Sequence, residues 1–370
     1  MLKILCLSRA PLDYIGGIPS YCISIYGGGD FEVQIYSYDL SKGLEKKLKR
    51  NFKGLKEIIF PSIFRIGTFA FSIQYIYSII KFSSKYDFIH LQLPDPVSVL
   101  SVLITKLFNP KIKVIVTWHA EIYKNYILFA PILFILDLLI SISSHKIIFF
   151  TKGHIKKSTL NRFKFLRGKM KLIPCAIPAP KNKNIPVFAK DINKKNLINL
   201  VSIGRLVEYK GYEYAIKAIK NCNENVNYRI IGFGPKFNEL TNLINKLKLQ
   251  NRVTLLGQLS DEDKEKILAD SDIFIFPSIN QSEAYGLVQL EAMFFGLPII
   301  NTNLNNGVNY LASNATAVTC PVKESESLSK AIYKLINDKN LYKRLSQNAL
   351  SNVKKYSLED MRKSYLNLFS

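Results

Sequence analysis

Two carboxylates separated by seven residues, Glu283 and Glu291, lie in the stretch 277–302, PSINQSEAYGLVQLEAMFFGLPIINT. Ala-Tyr-Gly follows the first, and an apolar run compatible with a helix leads into the second. The pattern predicts a loop feeding a helix that begins near Gly286 or Leu287. The unpaired N–H groups and positive dipole end of such a helix face the loop, a seat suited to a phosphate. Glu291, about one turn inside, can accept hydrogen bonds from sugar or ribose hydroxyls, and Glu283 stands just outside the helix mouth. One carboxylate can thus reach each end of a nucleotide-sugar; the bland alternative is an amphipathic helix carrying two surface glutamates.

Cations stand earlier in the chain. Residues 197–204 read as a strand ending at glycine, followed by Arg205 and then by Lys210-Gly211. A fixed guanidinium and an ammonium can neutralise the charge that builds on a departing nucleoside diphosphate, whereas the alternative for this pair is surface salt-bridging. Residues 228–231 and the turn Gly232-Phe233-Gly234-Pro235 repeat the design of strand, glycine and helix, although a GxG turn by itself is weak evidence. Asp261-Glu262-Asp263 and Asp270-Ser271-Asp272 each spell D-x-D, a metal–diphosphate signature elsewhere. Ser260 before an acidic residue three positions on reads instead as a helix cap, and the second triplet as a strand entrance, so no metal site is expected.

The segment S-E-A-Y-G-L-V-Q-L-E-A-M-F-F-G-L-P-I-I at 282–300 resembles, without a gap, the E-x7-E segment of retaining nucleotide-sugar glycosyltransferases of the GT-B fold. Gly286, Gly296 and Pro298 fall where that family has them. The resemblance extends to G-R-L-x-x-x-K-G at 204–211, to the GxGP turn near the nucleotide base, and to Thr117-Trp118-His119. It implies an α/β chain of two Rossmann-like domains with parallel sheets facing across a cleft. Arg205 and Lys210 would clamp the donor diphosphate together with the backbone at Gly286, Leu287 and Val288, with no divalent ion required. Glu291 would hold the ribose, Glu283 hydroxyls of the transferred sugar, and His119 would lie beside that sugar. Gly16, Gly17, Gly234 and Tyr285 complete the implied substrate contacts, and domain closure would exclude water. At 173–178 the chain reads I-P-C-A-I-P where the family has an I-P-N-G-I-D turn, so contacts of that turn's polar residues are not carried over.

These groups need elements to position them. Residues 2–7, 86–93 and 113–119 read as parallel strands of a first domain, which a strand at 146–151 and the run 171–174 bring to its edge, with the Gly16-Gly17 loop opening a helix at 19–26. His90 lies inside its strand and reads as a buried, hydrogen-bonded residue, while His119 follows one; His145 and His154 have no partner recognisable in the sequence. Residues 178–196, rich in Lys, Asn and Pro, read as a linker, which sets domains at 1–178 and 179–355. Helices are expected at 324–337 and 341–356, and the terminal helix 356–370 is expected to return to the first domain.

Three apolar or basic segments bear on partners. Residues 42–56, KGLEKKLKRNFKGLK, place Leu44, Leu48, Phe52 and Leu55 at helical spacing among lysines, either a helix lying on an anionic membrane or an ordinary surface helix. Residues 66–80 and 127–144 are too short or too interrupted for transmembrane spans, and read as buried helices rather than as shallow membrane contacts.

The composition fits this plan. With 370 residues, 48% hydrophobic and 21% charged, the chain is ordinary globular material for two α/β domains. Its 5 scattered cysteines suggest neither a disulfide framework nor zinc, and the start MLKILCLS reads as a strand rather than a secretory leader, pointing to the cytoplasm. The net charge of +23 is uneven, since residues 1–180 hold 25 Lys and Arg against 10 Asp and Glu. An inner-leaflet surface, a lipid-diphosphate acceptor or nucleic acid would answer that charge, as would a lysine-rich proteome.

The expectation is a hexosyltransferase, peripheral on the inner face of the cytoplasmic membrane, using GDP-mannose or a UDP-sugar and a lipid-linked or polysaccharide acceptor. The setting would be surface-polysaccharide assembly, whether O-antigen, capsule or lipopolysaccharide. Rival readings are a GT-B sugar-nucleotide 2-epimerase and a basic nucleic-acid-binding protein. Against the second, no nucleic-acid module is recognisable, so no nucleic acid is expected.

Overall fold

The computed structural model describes residues 2–14, 16–41, 43–66, 69–120, 127–181, 196–280, 282–283 and 285–369. They divide into two compact units, Met1–Ala176 with Leu358–Ser370, and Ile177–Ser357. Glu121 and most of the expected linker, residues 182–195, lie outside the described residues.

The first unit runs β1 (Lys3–Leu7), α1 (Gly17–Tyr26), β2 (Glu32–Tyr38), β3 (Leu48–Phe52), β4 (Leu55–Phe60), β5 (Phe64–Ile66), β6 (Phe69–Phe71), α2 (Ile73–Phe82), β7 (Phe88–Leu93), α3 (Pro96–Phe108), β8 (Lys113–Trp118), α4 (Ala130–Ser143), β9 (Lys146–Phe149), α5 (Lys152–Lys157) and β10 (Met170–Leu172). Its main sheet has the order β10-β9-β8-β7-β1-β2-β4-β3, parallel except where β3 meets β4. Strands covered by helices on both faces are buried throughout, as β7, FIHLQL, is at every position, and its two polar residues, His90 and Gln92, are hydrogen-bonded there. α3 starts where it does because Pro96 suits the first turn and the Asp95 carboxylate accepts from Ser98 N–H at 3.4 Å.

The second unit runs β11 (Ile198–Ile203), α6 (Tyr212–Lys220), β12 (Val226–Ile231), α7 (Phe237–Lys246), β13 (Val253–Gly257), α8 (Asp261–Asp270), β14 (Ile273–Phe276), α9 (Val288–Phe294), β15 (Ile299–Thr302), α10 (Gly307–Leu311), β16 (Ala317–Cys320), α11 (Ser325–Asn337) and α12 (Lys339–Val353). Its parallel sheet has the order β13-β12-β11-β14-β15-β16. Leu328, Ala331, Ile332 and Leu335 of α11 and Ala215, Ile216 and Ile219 of α6 join one buried cluster, each leucine or isoleucine side chain contributing about 1.5–3 kcal/mol. After it α13 (Leu358–Phe369) belongs to the first unit. There the Tyr365 hydroxyl meets those of Tyr21 and Thr117, and Phe369 packs edge-on against Phe31 and Phe88.

Three expectations are corrected. Residues 48–60 form a β-hairpin, not a helix: Leu48 pairs with Ile59 and Phe52 with Leu55 around Lys53-Gly54, both at positive φ. That two-residue turn matches the right-handed twist of its strands, and the parallel pairing of β4 with β2 holds it in the sheet. Arg50 bridges from β3 to the buried Glu57 at 2.8 Å and to Asp13 at 2.7 Å. Residues 66–80 contribute to a small hairpin and then to α2, whose Ile73 and Tyr77 are exposed. α4 likewise is not a buried helix, since Ile132, Ile135, Leu139 and Ile142 face solvent.

Candidate functional site

In a parallel sheet the first strand flanked on both sides leaves a gap where the loops after it and after its later neighbour diverge, and ligands collect there. In the second unit β11 lies between β12 and β14, so that gap falls between the loops after β11 and β14. These are the Arg205–Lys210 stretch and the glutamate stretch. A tight 3-10 turn, Glu208–Lys210, follows β11 and ends at Gly211, φ +64°. A Cβ on Gly211 would stand 2.3 Å from the Pro277 carbonyl oxygen, and Ile279 N–H donates to Tyr209 O at 2.8 Å. The two loops are therefore stitched backbone to backbone. The β12 loop joins them, because a Cβ on Gly232 would stand 2.0 Å from Gly204 O, and Leu206 N–H donates to Phe233 O at 3.1 Å.

Side chains follow from this. Lys210, buried, makes an ion pair with the buried Glu283, and its ammonium lies 5.0 Å from the centre of the Phe276 ring. Burial, the largest single influence, works to lower the Lys210 pKa, but the Glu283 carboxylate and Tyr209 together turn the net movement upward, so the lysine stays charged. Ser278 Oγ also donates to Glu283, at 3.4 Å, and Asn306 Nδ2 donates to the Glu283 backbone oxygen at 2.5 Å.

The helix after this loop begins at Val288, two residues past Gly286. Glu291 lies in its first turn and pairs with Lys264 of α8 at 2.7 Å, both side chains about one-fifth exposed. Tyr285 and Gly286 are buried, Leu287 and Val288 half-buried, and Arg205 is exposed at the end of β11. Gly234 sits in the β12 loop, where a Cβ would stand 2.4 Å from Leu206 O.

Glu283 and Lys210 are thus brought together, while Glu291 stands on its own helix with a different lysine. Lys264, Ser278 and Asn306 have no sequence signal, being ordinary polar residues distant in the chain from what they hold. The D-x-D carboxylates are engaged in structure: Ser260 Oγ and Asp263 cap α8, and Asp272 accepts from Asn199 N–H at 2.8 Å. Among the described residues no group of three or more His, Cys, Asp or Glu gathers as metal ligands.

In the first unit the corresponding gap lies beside β1, between β2 and β7. Gly16 and Gly17 stand at the start of α1, beyond the end of β1. His119 follows β8; its N–H donates to Leu93 O at 3.0 Å and its Nε2 meets Gln92 Oε1 at 2.8 Å. An amide oxygen only accepts, so Nε2 carries the hydrogen and Nδ1 is an acceptor. Tyr21 and Phe150 meet the ring edge-on at 5.0 and 5.1 Å. Burial, then the nearby His90 and Arg9, hold its pKa well below the usual histidine value, so the ring is neutral. His90 is a core residue, as its place within β7 predicts: Tyr26 Oη is 2.5 Å from Nδ1, Thr117 Oγ1 is 2.7 Å from Nε2, and burial lowers its pKa to about 3. His154 packs among Phe149 and Phe150, and burial lowers its pKa to about 4.

Residues 185–351 match the family model of glycosyl transferases group 1. The chain is 29% identical over 248 residues to an uncharacterized glycosyltransferase of Methanocaldococcus jannaschii, covering 57% of this chain and 60% of the relative. It is 28% identical over 143 residues to the putative colanic acid biosynthesis glycosyltransferase WcaL of Escherichia coli, covering 36% and 35%. The chain spans about half the length of the curated relatives it matches. Among solved structures, Anabaena HepE in complex with UDP superposes with a TM-score of 0.76 at 16% identity, over 100% of this chain and 99% of that one. That likeness shows the fold, an α/β GT-B chain of two Rossmann-like halves. Over residues 185–351 the chain is thus similar to the glycosyl transferases group 1 family.

Proposed function

We propose that the chain transfers a hexose from a nucleotide-sugar, GDP-mannose or a UDP-sugar, to a lipid-linked or polysaccharide acceptor with retention of configuration. The observation that carries this reading is the Lys210–Glu283 pair, held by backbone stitching at the point where the second sheet's loops diverge. An ammonium fixed and kept charged there can meet the negative charge that grows on a leaving nucleoside diphosphate. Arg205, on the adjoining loop, adds a planar donor suited to phosphate oxygens. Glu283 keeps Lys210 charged and offers its carboxylate to sugar hydroxyls, and Glu291 takes the ribose hydroxyls. His119, neutral, is proposed to meet the transferred sugar through Nδ1. Two cations in these positions do the work a divalent ion does elsewhere, so no metal is required.

HepE is crystallised with UDP, which favours a nucleotide-sugar donor, and WcaL is named for colanic acid biosynthesis, which favours a bacterial surface-polysaccharide setting such as O-antigen, capsule or lipopolysaccharide. The proposed location is the cytoplasmic face of the membrane, as a peripheral protein. The test is thermal unfolding with UDP, GDP and ADP, each with and without magnesium. A ligand at 100 times its Kd stabilises the native state by about 2.7 kcal/mol, which is readily measured. A shift with GDP alone assigns mannose or fucose transfer, with UDP alone a hexose or N-acetylhexosamine, and equal shifts without magnesium support the cation clamp. No shift with any of the three sinks the reading.

A further inference from the structure

The solvent face of α4 carries no polar side chain that would explain its exposure. Ile132, Ile135, Leu139 and Ile142, spaced at helical intervals, are 58%, 53%, 45% and 44% exposed, and Leu128 and Phe129 just before the helix are 85% and 48% exposed. The charged residue of α4, Asp137, is on the opposite, buried side with Ile140 and Ser141. A surface helix ordinarily shows charges to water, and one that is apolar all round is covered by something.

The apolar area continues beyond the helix. At the end of α3, Leu107 and Phe108 are 79% and 76% exposed. Phe134 of α4 stacks on Phe163 at 6.2 Å, and Phe163 in turn meets Phe165, which is 62% exposed. A contiguous patch of this kind on a soluble surface marks an interaction site.

Its surroundings say what the partner is. Between residues 96 and 171 the chain holds 13 Lys and Arg against two acids, Glu121 and the buried Asp137. Lys169 reaches the C-terminal end of α4, donating to Ile142 O at 2.5 Å and Ser144 O at 2.9 Å. Lys106, Lys113, Lys146 and Lys169 lie close enough to His145, just past that end, to lower its pKa after burial has done so. A row of apolar side chains beside a cluster of ammonium groups matches the layered chemistry of a bilayer with anionic headgroups over acyl chains. A second copy fits poorly, because it would bring the same cations against themselves.

We propose that α4, with the C-terminal end of α3 and the Phe163–Phe165 segment, is the face by which the first unit lies on an anionic membrane. The helix has 14 residues, about 21 Å, too short to span the hydrocarbon core, and it lies in the plane of the interface. Among the described residues no helix is long and apolar enough to cross a membrane. The inference deepens the proposed function, since it rests on a membrane-attached acceptor and gives that acceptor's bilayer a place on the protein.

The test is sedimentation of the full chain with vesicles of phosphatidylcholine alone, or with about one third phosphatidylglycerol. The anionic vesicles are expected to bind at least about tenfold more, with release as salt rises. Ile135→Glu/Leu139→Glu lowers that binding at least about tenfold, and Lys106→Gln/Lys146→Gln removes the preference for anionic lipid. Tyr333→Glu, at an exposed ring on α11 of the second unit, leaves binding unchanged. Unchanged unfolding midpoints establish that the variants are folded. The proposal is overturned if the α4 variant binds vesicles like the parent, if neither vesicle is bound, or if light scattering finds a dimer that Ile135→Glu/Leu139→Glu dissolves. Nucleotide-induced stabilisation, measured on the same proteins, separates the two readings: its persistence without vesicle binding overturns the membrane face alone, and its loss with binding intact overturns the donor site alone.

Discussion

The two units use one topology and fix its centre by different means. In the second, the loops after β11, β12 and β14 are pinned by backbone approaching backbone, at Gly211 against Pro277 and Gly232 against Gly204, and the lysines and glutamates ride on that frame. In the first, the strands around β1 are held by buried side-chain polar groups: Tyr26–His90–Thr117, Tyr38–Asp95, and Gln92–His119. A backbone frame demands glycines at fixed spacing, whereas a side-chain network demands only complementary partners. All four histidines of the chain lie in the first unit, at 90, 119, 145 and 154, which makes the contrast measurable.

Acid is expected to have the largest effect, and in the first unit. The unfolded chain takes up histidine protons near pH 6.5, but burial lowers His90 to about 3 and His154 to about 4. The stability these rings contribute is therefore complete above pH 6.5 and is lost as pH falls toward 4, on the order of 3 kcal/mol for each. Asp95, which burial raises, acts in the opposite sense. Hydrogen exchange read unit by unit between pH 7.5 and 4.5 should find the loss in the first unit, and an equal loss in both would break the contrast.

The second effect is on the proposed chemistry. Lys210→Ala removes the buried cation beside Glu283 and is expected to lower transfer about 10²–10³-fold, read as kcat with the nucleotide-sugar that thermal unfolding identifies. Retention of more than about a tenth of the activity would remove Lys210 from the leaving-group role. Third, Gly211→Ala places a Cβ 2.3 Å from Pro277 O at φ +64° and is expected to cost at least about 2 kcal/mol of stability in the second unit, measured by urea unfolding. The smallest change is in the network of the first unit. Tyr26→Phe leaves His90 Nδ1 without its hydroxyl partner and is expected to cost about 1–2 kcal/mol, with no effect on nucleotide-induced stabilisation.

The same contrast governs what the sequence reveals. Gly204, Arg205, Lys210 and Gly211, like Glu283, Gly286 and Glu291, lie close together in the chain, so their spacing alone betrays the loops they build. Lys264 and Glu291 are brought together by the packing of α8 against its neighbours, and no local pattern connects them. Residues 42–56 mislead because Leu44, Leu48, Phe52 and Leu55 satisfy a helical period, and Lys53-Gly54 carries the deciding turn signal. α4 misleads for another reason: an apolar helix reads the same whether its partner is the rest of the fold or something outside it. His90 is legible as core because polar residues inside a fully buried strand must find partners, and it does.

The return of α13 to the first unit has a consequence for how the chain comes into being. Residues 177–357 are contiguous and can close their own core as soon as they emerge from the ribosome, while the first unit waits for Met361, Tyr365 and Phe369 to cover α1, β7 and the backbone at Ala176. At about 5–20 residues per second that delay is roughly 10–40 s. Throughout it the faces of Tyr21, Phe31 and Phe88 lie open, and the half that begins synthesis first is the half that finishes folding last.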